Sequence, residues 1–315
     1  MGDLPPESVQ FKIEPILIPA TTIARDGKFP TCRGGFCDIW KCSVTAQSGT
    51  QRLVAVKSIR ILSVPDATLE AIGKKVRREA YVWIQLEHDH ILPLEGVTVA
   101  EEFGPLPALV SPWMKEGSLD GYLEREFSGM SDPRKRELIR QVTAGISYLH
   151  GRDIVHGDLT ATNVLVDSSG RLRLADFGLS MILAEAGNAT FNSCHPGNIR
   201  WMPPEALQAG AEDEDEAKDE KPTKAWDVYS YGCVALQIFL GKQPYAWIKN
   251  GFSVIRAVER GTVPFKDIQS RDDEIYQQFS PCLKQKSADR PTMDDIMNSG
   301  VMIVCTNYDR VRGYC

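Results

Sequence analysis

The sequence predicts an α+β chain: a small, mostly antiparallel sheet with one helix, followed by a larger helical part. Three observations carry that expectation. Strand-like runs rich in Val and Ile crowd into residues 31–60. From about residue 117 onward, segments with apolar residues at three- and four-residue steps dominate. The change of pattern happens once, with no internal repeat, so one cleft between two unlike parts is the simplest arrangement.

The elements follow in order. IWKCSVT and LVAVKSI read as strands joined by the turn signal QSGTQ. Leu69, Ile72, Val76, Trp83 and Leu86 then recur at helical spacing and give one apolar face. LEGVTVA and PALVSPW read as a strand pair around a Gly-Pro turn. Further on, ELIRQVTAGISYLHG puts Leu138, Val142, Ile146 and Leu149 on one face and stops at Gly151. NVLVDSSGRLRLAD is a hairpin of two short apolar strands around SSG. DVYSYGCVALQIFLG is apolar nearly all round, as suits a helix in the middle of a lobe. SVIRAVERG and TMDDIMNSGVMI read as peripheral amphipathic helices.

Composition bounds the function. The 315 residues are 43% hydrophobic, enough for a real core, and the net charge of −6 argues against a nucleic-acid binder. Residues 212–220, EDEDEAKDE, hold seven acids and one Lys, so the rest of the chain is neutral. No secretory signal, membrane-spanning run, myristoylation pattern or prenylation box is visible, which predicts a cytoplasmic protein with no membrane partner. The eight cysteines form no CxxC, so reduced thiols are expected and a zinc site is not.

Three groups of residues carry chemistry. Glu79 falls on the apolar stripe between Val76 and Trp83, where a carboxylate is costly unless a cation meets it. Lys57, mid-strand in LVAVKSI, is the natural partner. Upstream, CRGGFCDIW offers Gly34 and Gly35, whose backbone N–H groups could close on phosphates, with Phe36 at the tip. Finally, Asp158 and Asn163 lie five apart in a loop before a strand, and Asp176 follows the next strand. Carboxylate, amide and carboxylate are hard oxygen donors, suited to magnesium holding phosphates.

In that order, AVK, HGDLTATN, DFG, PPE and SADRPT make the chain resemble a protein kinase over about residues 28–302. RWMPPEAL and DVYSYG are most similar to the tyrosine-kinase-like group. The resemblance implies a bilobal kinase fold, with a small antiparallel-sheet N-lobe carrying one helix at about 28–112 and a helical C-lobe at about 115–302. Residues 1–27 would be an extension, 211–222 an acidic insert and 303–315 a tail. The cofactors implied are ATP and Mg2+ and the partner is a protein substrate; nothing in the motifs speaks to oligomeric state. Lys57 would hold the α- and β-phosphates, paired to Glu79; Asp158 would be the catalytic base; Asn163 and Asp176 would hold metal. Gly34, Gly35, Ile39, Ala55, Ser111, Met114 and Leu165 would line the nucleotide. Glu205 would pair with Arg290, and Asp227 would hold the catalytic-loop backbone.

The chain departs from the family in four places. The glycine loop has Cys32 and Cys37 where glycines stand, and Gly157 replaces the Arg before the catalytic Asp. Thr160 replaces a Lys typical of Ser/Thr kinases, and Asn198 replaces a Thr. Thr160 and Asn198 are expected to hydrogen-bond to each other and to Asp158. The implied activity is phosphoryl transfer to protein Ser or Thr; a non-enzymatic pseudokinase and a tyrosine-specific kinase are the alternatives. The Arg that tyrosine kinases carry two or four residues after that Asp is Thr160 or Thr162 here. Two further expectations concern regulation. The acidic run steers basic substrates toward the cleft or is a solvated insert, and Cys32 and Cys37, facing each other across a hairpin, form a redox latch or simply replace glycines.

Overall fold

The computed structural model describes residues 15–33, 37–60, 66–177, 198–208, 222–266 and 274–299. Their backbone falls into two compact units. The first runs to Glu87 and resumes over Pro93–Trp113; the second holds His88–Leu92 and everything from Met114.

The first unit is built on one sheet. Strands β1 (Ile23–Arg25), β2 (Cys32–Arg33), β3 (Cys37–Thr45), β4 (Gln51–Ile59), β5 (Gly96–Thr98) and β6 (Ala108–Pro112) lie in the order β1-β3-β4-β6-β5, with β2 also on β3. Every strand pair is antiparallel. Directly paired residues share a face, and faces alternate along a strand. One face is therefore Cys42 and Val44 of β3, Val54 and Val56 of β4, and Ala108 and Val110 of β6. These are buried together with Ile18, Ile23, Ala100 and Phe103. Edge strand β5 is covered by the chain before β1: Ile18 N–H donates to Val97 at 2.8 Å, and Val97 N–H donates to Ile16 at 2.9 Å. Helix α1 (Asp66–Ile84) buries Ile72, Val76 and Trp83 of the stripe read from the periodicity, with Ala80 beside them, and leaves Leu69 half-buried. Leu86 is also buried, but it lies in the turn past the helix end, where its N–H bonds to Trp83.

The β2–β3 register corrects one expectation. Cys32 pairs with Ile39 and Arg33 with Asp38, so Cys32 does not oppose Cys37. The register is shifted from the one a direct 32–37 pairing requires. Cys32 is exposed and Cys37 half-buried, and the latch has no support in this register.

In the second unit, α2 (Leu119–Glu126) and α3 (Asp132–His150) precede a small sheet of β7 (Gly117–Ser118), β8 (Val164–Val166) and β9 (Leu172–Leu174). Helix α3 begins earlier than the apolar pattern suggests, because Pro133 sits in its first turn, where a missing N–H costs nothing. Leu138, Val142, Ile146 and Leu149 are all buried. After α4 (Pro204–Gln208) comes α5 (Lys224–Leu240), buried from Asp227 through Ile238 and docked on α3 through Thr143 and Tyr231, whose hydroxyls lie 2.8 Å apart. Helices α6 (Gly251–Glu259), α7 (Glu274–Phe279) and α8 (Met293–Asn298) complete the unit. Among the described residues, no helix is long and apolar enough to cross a membrane.

Segment His88–Leu92 behaves as an extra strand for β9. Leu174 N–H donates to His90 and Leu92 N–H to Leu174, each at 2.9 Å, and His90 Nδ1 lies 3.0 Å from the Leu172 carbonyl.

Candidate active site

Register alone gathers the candidate nucleotide residues of the first unit. Ile39 pairs with Lys57 across β3 and β4, Lys57 pairs with Leu109 of β6, and Ala55 pairs with Ser111. Ile39, Ala55, Lys57 and Ser111 therefore share the sheet face opposite the core, although they come from three strands. Glu79 is half-buried on α1, at the margin of its apolar stripe. Gly34, Gly35 and Phe36 lie outside the described residues.

In the second unit the loop between α3 and β8 is hung on one carboxylate. Asp227, 1% exposed in the first turn of α5, accepts the N–H of His156 at 2.8 Å and of Gly157 at 2.9 Å, and lies 2.8 Å from His150 Nε2. A buried carboxylate is tolerated because donors meet it on every side. Gly157 sits at φ +77°, which a side chain there would resist, so its Gly for Arg replacement is built into the backbone. His156 is fully buried and packs edge-on to Phe177 at 6.1 Å. Its Nδ1 accepts the Asp158 N–H at 3.3 Å, and burial holds its pKa below the usual 6.5, so the ring is neutral.

That loop presents Asp158. Asn163 Nδ2 donates to the Asp158 carbonyl at 2.8 Å and to its Oδ2 at 2.9 Å. Asn198 Nδ2 donates to Oδ1 at 2.6 Å and to Oδ2 at 2.8 Å. The expected Asn198–Asp158 contact is thus present, but Thr160 plays another part. Its hydroxyl lies 2.7 Å from that of Thr162 and accepts the Asn163 N–H at 3.3 Å, closing the loop on itself. Asp176 follows β9 at φ +63°, in the left-handed region, and the preceding Ala175 N–H donates to the Asn163 carbonyl at 2.8 Å. That bond sets the Asn163 and Asp176 backbones side by side. Leu165 is half-buried on β8, paired with Ser118 and Arg173. Met114 is buried, with its carbonyl accepting from Gly117. Glu205 accepts both terminal nitrogens of Arg290 at 2.6 and 2.8 Å, and the buried guanidinium also reaches three backbone carbonyls. Gly178 and residues 179–197 lie outside the described residues.

Two sets of contacts escaped the sequence reading. His150 ends the apolar stripe of α3, a position that suggests core rather than a bond to Asp227. Arg200 donates to the carbonyls of Pro244, Tyr245 and Ile248, groups that leave no trace in side-chain patterns.

Residues 31–299 match the family model described as protein tyrosine and serine/threonine kinase. The chain belongs to that family. The kinase is 29% identical over 263 residues to mitogen-activated protein kinase kinase kinase 5 of Arabidopsis thaliana, a match covering 82% of this chain and 34% of that protein. It is 30% identical over 248 residues to human ephrin type-A receptor 5, covering 78% of this chain and 22% of that one. The chain thus spans about a third of one relative's length and less of the other's. The kinase family carries the bilobal α+β fold, a phosphotransferase activity that uses ATP with a divalent metal, and a protein substrate.

Proposed function

We propose that this kinase transfers the γ-phosphoryl of Mg-ATP to Ser or Thr hydroxyls of a protein. The observation that carries the reading is the Asp158 carboxylate, gripped by two carboxamides on a loop anchored to buried Asp227. Phosphoryl transfer asks a protein for positioning and charge stabilisation more than covalent chemistry, and a fixed carboxylate provides the first. Asp158 orients the acceptor hydroxyl and takes its proton. Lys57, held by Glu79, supplies a fixed cation for the α- and β-phosphates. Ile39, Ala55, Ser111, Met114 and Leu165 take the base, while Gly34 and Gly35 close over the phosphates.

Asn163 and Asp176 fit a magnesium ion. Asn163 turns its amide N–H2 toward Asp158, which leaves its amide oxygen for a cation, and the 175-to-163 backbone bond keeps a carboxylate beside it. Amide and carboxylate oxygens are the hard donors that magnesium prefers. When bound, Mg-ATP supplies the phosphoryl group and the charge that offsets it.

Ser/Thr acceptors are favoured because Thr160 and Thr162 stand where tyrosine kinases carry an Arg, and their hydroxyls are bonded to each other. The acidic run 212–220 adds a preference for basic substrates, and the cytoplasm is the expected compartment. The test is radiolabelled ATP with a Ser/Thr/Tyr peptide library, wild type beside Asp158→Asn. Labelled phosphoserine or phosphothreonine, lost by at least about a hundredfold in the variant, is the expected result. Phosphotyrosine alone moves the chain to the tyrosine-specific reading, and ATP binding without transfer to the pseudokinase reading.

A further inference from the structure

We propose that the exposed cations beside the end of α6 form a docking surface for an acidic peptide segment, and that its occupant is this chain's own run 212–220. Arg256 and Arg260, at the end of α6, and Lys284 and Lys286, further along the chain, are all exposed. Among the described residues, none of the four has an acidic partner. The two stretches meet in space. A Cβ on Gly261, next to Arg260, would lie 3.8 Å from the side chain of Gln285, which the two lysines flank. Glu259 and Asp289 are the acids of these stretches, so over 256–261 and 284–289 four cations less two acids leave a net charge of +2.

The fold brings both ends of the run to this surface. Helix α4 ends at Gln208, and its Leu207 is buried in one cluster with Val254 and Val258 of α6. The run begins four residues later, and four extended residues reach about 13 Å. On the return side, Pro222 leads into α5, where the Ala225 carbonyl accepts Arg290 at 2.9 Å. The same guanidinium holds Glu205 of α4 and donates to the carbonyls of Lys284 and Gln285 at 2.9 and 3.3 Å. One buried cation thus fixes the chain on either side of the run against the lysine-bearing stretch. The run itself carries seven acids and one Lys. A single exposed ion pair is weak. A short tether, however, holds the run at a local concentration on the order of millimolar, so it fills a shallow site ahead of any free peptide. Its seven carboxylates outnumber the four cations, which leaves an acidic excess for the basic substrates proposed above. The docking itself does not depend on that preference.

The test uses the full chain and two variants. One neutralises the run by changing its acids to Gln or Asn; the other adds Arg256→Glu and Arg260→Glu to that protein. A zero-length carbodiimide joins a carboxylate to an amine in contact with it. In the wild type it should couple Lys284 or Lys286 to residues 212–220, and about tenfold less in roughly 0.5 M salt. A free peptide of sequence EDEDEAKDE should bind the neutralised protein at least about tenfold more tightly than the wild type, read from the amide resonances of 256–261. The two arginine reversals should abolish that binding. Equal peptide affinity for wild type and neutralised protein, including none for either, overturns the inference. So do crosslinks found only between chains in a mixture of 15N-labelled and unlabelled protein, since the occupant is then a second copy. If the reversal variant does not fold, the crosslink map and the peptide comparison still decide. Basic-substrate preference is scored apart, on a peptide array; its absence with the crosslinks intact sinks the steering reading alone.

Discussion

A few buried polar residues set the behaviour of the second unit. His156 is enclosed, neutral and bonded through Nδ1 to the Asp158 N–H, so protonation must break into a packed interior. Burial lowers its folded pKa below the usual 6.5, and His88 is shifted the same way, mainly by burial. With the folded value depressed, the unfolded chain binds more protons once pH drops below 6.5. The stability from neutral His156 is complete above that pH and is lost as pH falls toward the depressed folded value. Melting temperature should therefore drop between pH 7 and pH 5.5, by on the order of 2–4 °C for each kcal/mol. His156→Leu should make that drop shallower. An identical slope in both proteins would place the acid sensitivity elsewhere.

At the scale of elements, sheet edges and registers matter most. Edge strand β5 is paired on its outer side by Ile16–Ile18, and Gly96 makes that approach possible. A Cβ at Gly96 would collide with the Ile16 backbone carbonyl, which cannot rotate away as a side-chain tip could. Gly96→Ala should push the 16–18 segment off the edge, at a cost of about 1–3 kcal/mol. Hydrogen exchange at the Ile18 and Val97 amides should then speed up, while amides inside the β3–β4 pair stay protected. Unchanged protection at Ile18 would mean that the segment is held by side chains and not by the ladder. The β3–β4–β6 register works the other way, collecting Ile39, Ala55, Lys57 and Ser111 with no specific contact needed.

For the whole kinase, none of positions 157, 173 and 200 offers an arginine waiting for a phosphate. Gly157 offers no side chain, and its φ of +77° disfavours one. Arg200 is spent on three carbonyls, and Arg173 donates to the Ile91 carbonyl and faces Asp167. Phosphorylation at Ser180, Thr190 or Ser193, all outside the described residues, should therefore not be required for activity. Phosphatase-treated kinase should keep its rate to within about tenfold, which is 1.4 kcal/mol of barrier. A larger loss would show that another cation receives the phosphate.

Much of this could be read from the chain alone, for a local reason. Strand alternation, helical stripes and turn residues are short-range patterns, so β3, β4, α1, α3, the β8–β9 hairpin and buried α5 are legible in their own residues. The ordered series of Lys57, Glu79, Asp158, Asn163 and Asp176 is equally a matter of residue type and spacing. Other features depend on the folded chain. Asp227 meets His150, His156 and Gly157 from 70 or more positions away, largely through backbone N–H groups that every residue but proline carries. Arg200 binds only backbone carbonyls, and segments 16–18 and 88–92 join strand edges through the main chain, so none of these has a side-chain signature. The register that separates Cys32 from Cys37 is a matter of which backbone groups pair across β2 and β3, which composition does not encode. Residue identity determined which groups could do chemistry; backbone hydrogen bonds across long separations decided which of them meet, because such bonds are formed by the fold and not by any one residue.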